Sequence, residues 1–232
     1  MEFDFVILRD ESDENDCKML VMKDNYNKKI SPFEYDYINS RVKPAKVNIS
    51  LAVMDVLGIS EVNLEYVLKF RFLMVWYDYR LKYHNLKQEQ SLNSLSRAEI
   101  DKLWIPYVVF SNTEHSESTK GDDESEVTIT REGDFTESSI NVKEEINVFE
   151  GIENKITFQQ VYSKSFKCVY QLQLYPFDTQ LCKVEMEIRE LERSTVDLEP
   201  ENVFMESETL LVQYIISHWS LSFRNSSTFT SN

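Results

Sequence analysis

The sequence predicts an all-β fold, a β-sandwich, from three observations. Apolar and polar residues alternate with period two through several segments, most clearly around 47–53, 68–76 and 184–188. Polar turns separate these segments, and no long helical period occurs among them. At 232 residues the chain suits one large domain better than two small ones, and it is long enough to bury a sizeable core.

Residues 1–30 are acidic and aperiodic after the patch Val6-Ile7-Leu8, and they read as a flexible arm ahead of a domain over 31–232. Ser31-Pro32-Phe33-Glu34 places Ser at an N-cap and Pro at the first helical position, which predicts a short helix over 32–39. Its aromatics Phe33, Tyr35 and Tyr37 are expected to pack on the end of the domain. Val47, Ile49, Leu51 and Val53 then alternate with polar or small residues, and Gly58 permits a turn or bulge. The next strand places Leu68, Phe70, Phe72, Met74 and Trp76 on one face. Arg71 lies on the other.

A polar link over 84–96 leads to Ser96-Arg-Ala-Glu99, a capping-type start for one helical turn. After Leu103-Trp104-Ile-Pro106-Tyr107, an acidic stretch over 113–126 reads as an exposed loop and lacks an EF-hand pattern. Strands are expected at 127–130, 139–149 and 155–162, with Gly133 and Gly151 in the breaks. Tyr170, Leu172 and Leu174 alternate again, until Pro176 ends the run. Val184, Met186 and Ile188 mark a further strand, 190–206 a polar link containing Pro200, and 211–223 a last strand.

The net charge of −15 argues against nucleic acid, which needs clustered Lys and Arg. An enzyme is disfavoured too. Four glycines build no phosphate-cradling loop, and His84, His115 and His218 lie in separate segments without metal spacing. No cofactor and no metal are expected. No signal-peptide pattern opens the chain, and no run of eighteen apolar residues occurs. Asn48-Ile-Ser50 and Asn225-Ser-Ser227 are glycosylation sequons.

Three motifs carry a resemblance. Thirteen residues separate Cys168 from Cys182 and contain Tyr175-Pro176-Phe177-Asp178. Trp76-Tyr-Asp78-Tyr-Arg80-Leu81 matches a Trp-x-Asp-x-Arg-Leu pattern, and Leu103–Asn112 matches Leu-Trp-x-Pro-Asp-x-x-Phe-x-Asn except that Tyr107 replaces the Asp. Together they resemble the extracellular ligand-binding domain of the pentameric ligand-gated ion channels, the Cys-loop receptors. The resemblance covers roughly 31–223. It implies an immunoglobulin-like sandwich of about ten strands behind the short N-terminal helix, with the chain ending before the domain's last strand.

The resemblance also implies a Cys168–Cys182 disulfide, with Cys17 left free, and structural roles for Trp76, Asp78, Arg80, Trp104 and Pro106. Its ligand positions fall on Arg71, Ser111 and Arg189, with Tyr214 a candidate in the late loop. None of the first three is aromatic, so a choline-like ligand is disfavoured and an anionic one, or none, stays open. The alternative is that Arg71 and Arg189 are surface residues paired with carboxylates such as Glu187 or Glu190. Tyr175, Pro176, Phe177 and Asp178 fall where the family couples binding to gating. The implied partners are related subunits in a homo- or hetero-pentamer, a small-molecule ligand and a membrane domain, at the extracellular side of the cell membrane. A secreted soluble protein like the acetylcholine-binding proteins is the alternative.

Overall fold

The structure, a computed structural model, describes residues 5–7, 19–36, 41–113, 117–118, 125–141, 144–175, 177–206 and 220. In chain order the strands are β1 (Phe5–Ile7), β2 (Met19–Lys23), β3 (Glu34–Asp36), β4 (Arg41–Lys43), β5 (Ala45–Ser60), β6 (Glu65–Trp76) and β7 (Leu81–His84). One helical turn, α1 (Arg97–Ile100), precedes β8 (Val108–Phe110) and β9 (Glu117–Ser118). There follow β10 (Glu126–Ile129), β11 (Thr136–Asn141), β12 (Glu144–Glu150), β13 (Ile156–Lys167), β14 (Met186–Ile188) and β15 (Val196–Met205).

One layer is the sheet β10-β13-β6-β5-β15. Two further sheets, β1-β2-β7-β12-β11 and β14-β8-β9, share a single apolar core with it. The strict alternation of β6 buries Leu68, Phe70, Phe72, Met74 and Trp76, as its sequence demands. Phe110 of β8 meets Phe70 and Phe72 edge-on, at 5.7 Å for each pair. Trp76 stands perpendicular to Trp104 at 6.0 Å. Gly58 sits at a register shift of β5, and Ser96 and Glu99 close the expected capping box of α1.

Five expectations change. Residues 34–36 form a strand paired with β4, where a helix was expected. Ser31, read as its N-cap, is buried and donates its hydroxyl to Thr195 Oγ1 at 2.8 Å. The period-two spacing of Phe33 and Tyr35 was the competing signal, and strand pairing prevailed over 34–36, while residues 37–39 of the expected helix lie outside the described residues. Within the expected arm, β2 joins β7 and buries Leu20, Val21 and Met22.

The 139–149 segment divides into β11 and β12, which pair antiparallel and so turn back on each other. The stretch before Pro176 is not a strand: Leu172–Leu174 is a 3₁₀ turn with Leu172 and Leu174 exposed. Residues 196–205, expected as link, form β15, parallel to β5 at the sheet edge, with a register shift at Pro200. An edge strand accepts proline and polar residues that a central strand rejects. The expected strand over 211–223, with Tyr214, lies outside the described residues except at position 220, and the sequon Asn225, Cys17 and Pro176 lie outside them too. Among the described residues, no helix is long and apolar enough to cross a membrane.

Candidate functional site

The turn after β6 is a buried ionic knot. Asp78 is 0% exposed and takes Arg80 in a two-pronged grip, with Nε to Oδ1 at 2.8 Å and Nη2 to Oδ2 at 2.7 Å. The Arg80 backbone N–H adds a third bond to Oδ1 at 3.1 Å. Arg80 Nη1 donates to the Ile30 carbonyl at 2.6 Å, and its guanidinium lies 4.7 Å from the Tyr26 ring centre. Tyr26 in turn accepts the Trp104 N–H at 2.7 Å. Burial foremost, then the Asp78 charge, raises the pKa of the Tyr26 hydroxyl. Burial is also the largest single influence on Arg80 and lowers its pKa, but the bonds and charge of Asp78 outweigh it and the net shift is upward.

Trp76, Asp78, Arg80 and Trp104 thus meet at one place and bind the N-terminal segment to the sandwich. Pro106 follows Trp104 on the approach to β8. Gly151 closes the knot from the other side. Its N–H donates to Leu81 O at 2.9 Å, and a Cβ there would strike the Asp78 and Leu81 carbonyls. Tyr26 was hidden in what read as an arm. Nothing local marks it.

The loop between the cysteines sits at one end of the molecule. Cys168 and Cys182 are bridged, with Cα atoms 5.3 Å apart. The Cys168 N–H donates to Leu64 O at 2.8 Å, and the Tyr170 hydroxyl donates to Glu65 O at 2.9 Å, which anchors the loop's base to the start of β6. Gln180 reaches across it: its Oε1 accepts the Gln171 N–H at 2.8 Å, and its Nε2 donates to Gln171 O at 3.1 Å and to the Asp178 carboxylate. Asp178 is therefore spent inside the loop. The apolar side chains are not: Leu174 is 72%, Tyr175 67% and Phe177 90% exposed.

The positions expected to meet a ligand separate into two groups. Arg71, central in β6, points away from the core and pairs with Glu206 just past β15. Ser111 and Arg189 lie on the other layer, at opposite ends of the β8–β14 pair. Ser111 N–H donates to Glu185 O at 2.9 Å, and Arg189 N–H to Tyr107 O at 3.1 Å. Four residue steps, from 107 to 111, separate the two ends, about 13 Å. The Arg189 guanidinium stacks over the Tyr107 ring at 5.3 Å, so the residue that departs from the motif carries a cation. Glu187, one expected partner of these arginines, bonds Arg193 at 3.2 Å instead. Glu206 was not foreseen, because it lay in an apparent link 135 residues away. Asn48 is mid-strand, between Val75 of β6 and Glu199 of β15.

Arg71 and the Ser111–Arg189 strip occupy opposite outer faces of one sandwich. The inward Phe70 and Phe72, touching Phe110, stand between them.

The comparisons with known proteins agree with this picture. A family model described as the neurotransmitter-gated ion-channel ligand binding domain matches residues 17–231. The glutamate-gated chloride channel of Drosophila melanogaster is 28% identical over 149 residues, 64% of this chain and 28% of that protein. The gamma-aminobutyric acid receptor subunit gamma-4 of Gallus gallus is 21% identical over 178 residues, 76% of this chain and 33% of that protein. The gamma-3 subunit of Mus musculus is 25% identical over 114 residues, 48% of this chain and 22% of that protein. The matched stretch spans a third or less of these relatives' lengths. With its disulfide-closed loop and its Asp78–Arg80 knot, the chain belongs to the neurotransmitter-gated ion-channel ligand-binding domain family, that of the Cys-loop receptors.

Proposed function

We propose that this chain is the extracellular part of a ligand-gated channel subunit, which takes a small carboxylate between adjacent copies and passes the event to a membrane domain through its Cys168–Cys182 loop. The observation that carries this reading is the loop tip. Three large apolar side chains stand in solvent on a loop fastened at its base, and such a display calls for an apolar partner. A membrane domain beneath this end of the sandwich supplies one.

The ligand half of the reading is supported by where the cations lie. Arg71 and Arg189 are on opposite outer faces, so a site that uses both needs two copies side by side, each lending a different face. Head-to-tail interfaces of this kind close into rings. A guanidinium favours a carboxylate and repels an ammonium group, and the Drosophila melanogaster relative carries glutamate in its name. The subunit then resides in the cell membrane with this domain outside, in a homomeric or heteromeric pentamer.

The test is electrophysiological. The full subunit, expressed in oocytes and exposed to L-glutamate, is expected to pass current. Phe177→Ser is expected to reduce the maximal current severalfold while leaving the binding of L-glutamate unchanged. Loss of binding together with current in Phe177→Ser, or full current without Phe177, would count against coupling through the tip.

A further inference from the structure

On the outer face of the first sheet, register aligns four residues in one row: Phe204 on β15, Ala52 on β5, Arg71 on β6 and Val161 on β13. Alternation along β5 puts Ala52 on this outer face with Lys46 and Ser50, yet Ala52 is 0% exposed. The Arg71 side chain reaches over β5 at this point and meets the Glu206 carboxylate beyond it. Neighbouring strands are about 4.8 Å apart, so the reach from β6 to β15 is ~10 Å and requires a small residue between them. Glu206 is held in place by its own N–H, which donates to Val53 O at 2.8 Å. Phe204 and Val161 stay exposed at the two ends of the row.

This pair contrasts with the Asp78–Arg80 knot. The knot is buried and two-pronged, whereas Arg71 and Glu206 keep 36% and 25% of their side-chain surface in solvent. Pairs open to water contribute little to stability, so a competing carboxylate has little to overcome in displacing one. Its geometry is that of a guanidinium already holding one carboxylate, beside exposed apolar surface.

We infer that Glu206 is an internal substitute for a ligand's carboxylate: it holds Arg71 in the empty domain, yields it when a small carboxylate such as an amino acid arrives, and so sets the affinity for that ligand. The inference rests on Arg71 being a ligand contact, as proposed above. Glu206 is thus a specificity residue that the ligand must displace, and Ala52 is the gap that lets it reach.

The experiment uses the whole chain as wild type, Glu206→Gln, Ala52→Leu and Arg71→Gln. Two readouts are taken: phenylglyoxal modification of Arg71 by mass spectrometry, and titration with L-glutamate. In Glu206→Gln, Arg71 is expected to react severalfold faster, and L-glutamate to bind about two- to fivefold more tightly, the range set by loss of one solvent-open competitor. Ala52→Leu, which parts the pair and keeps both charges, is expected to move both readouts the same way. Saturating L-glutamate is expected to protect Arg71, and Arg71→Gln to abolish binding. Unchanged labelling in Glu206→Gln overturns the ion-pair half. Weaker or unchanged binding with faster labelling overturns the competition and makes Glu206 a positioning residue or a bystander. Faster labelling with no binding or protection by L-glutamate in any variant shows that Arg71 is not a ligand contact, and the inference falls with that reading.

Discussion

At Asp78 and Arg80 the fold commits a buried charge to a single partner. Asp78 has no solvent to fall back on. Arg80→Ala is expected to cost about 3–5 kcal/mol, because it strands a buried carboxylate, and it also releases the Ile30 carbonyl. Urea unfolding followed by Trp fluorescence would register this as a large fall in midpoint, since Trp76 and Trp104 pack against each other in the core. Arg80→Lys keeps the charge and loses the fork, and is expected to recover only part of the loss. His84 makes a second residue-scale prediction. It is buried on β7, and its Nδ1 has no hydrogen-bond partner among the described residues. Burial first, then the Lys82 charge, lowers its pKa from the ordinary imidazole value of 6.5. Below that value the unfolded chain takes up the proton more readily than the folded one, so stability rises with pH through this window and is lost as pH falls through the folded value. The urea midpoint is expected to drop as pH falls below the ordinary imidazole value, and His84→Gln to flatten that drop. A slope identical in the two proteins would assign the acid sensitivity to other groups.

At the scale of elements, the loop between the cysteines is held by the disulfide and by the Gln180 bridge to Gln171. Replacing both cysteines by serine is expected to cost about 3 kcal/mol, the entropy of closing a loop of about fifteen residues, and to lower Tm by roughly 6–12 °C. The sandwich is expected to persist, because only the loop's base, Cys168, Tyr170 and Cys182, reaches the core, and most of that core is built by the strands. How legible each element was depended on what its face meets. β6 could be read residue by residue because one side is wholly buried, and Arg71 was placed outward on the same grounds. β15 was missed because an edge strand tolerates Pro200 and a polar run. The apparent strand at 170–174 misled for the opposite reason. Its alternating leucines are apolar without being buried by this chain, which is what a surface awaiting a partner looks like. In the site, the outward cations and the exposed tip were visible in the sequence. Glu206, Tyr26 and the Gln180 bridge were not, since each acts on a residue that only the fold brings close.

For the whole molecule, the two cation positions on opposite faces make a prediction about assembly. Copies carrying Arg71→Gln and copies carrying Arg189→Ala are each expected to bind L-glutamate poorly. Mixed in equal amounts, they are expected to recover about a quarter of the sites, because one in four random head-to-tail neighbours pairs an intact face with an intact face. No recovery on mixing would mean that the two arginines do not serve one site across an interface. The pairing of β5 with β15 has a consequence of another kind, for synthesis. Partners such as Ser50 and Glu201 are 151 residues apart, so at 5–20 residues per second β5 waits about 8–30 s on the ribosome before its edge can be covered. During that interval a sixteen-residue strand presents an open ladder. The nascent chain is therefore most vulnerable to mispairing while residues 60–196 are being made, and slowing the ribosome over that stretch is expected to lower the yield of folded domain more than slowing it over the residues that follow β15.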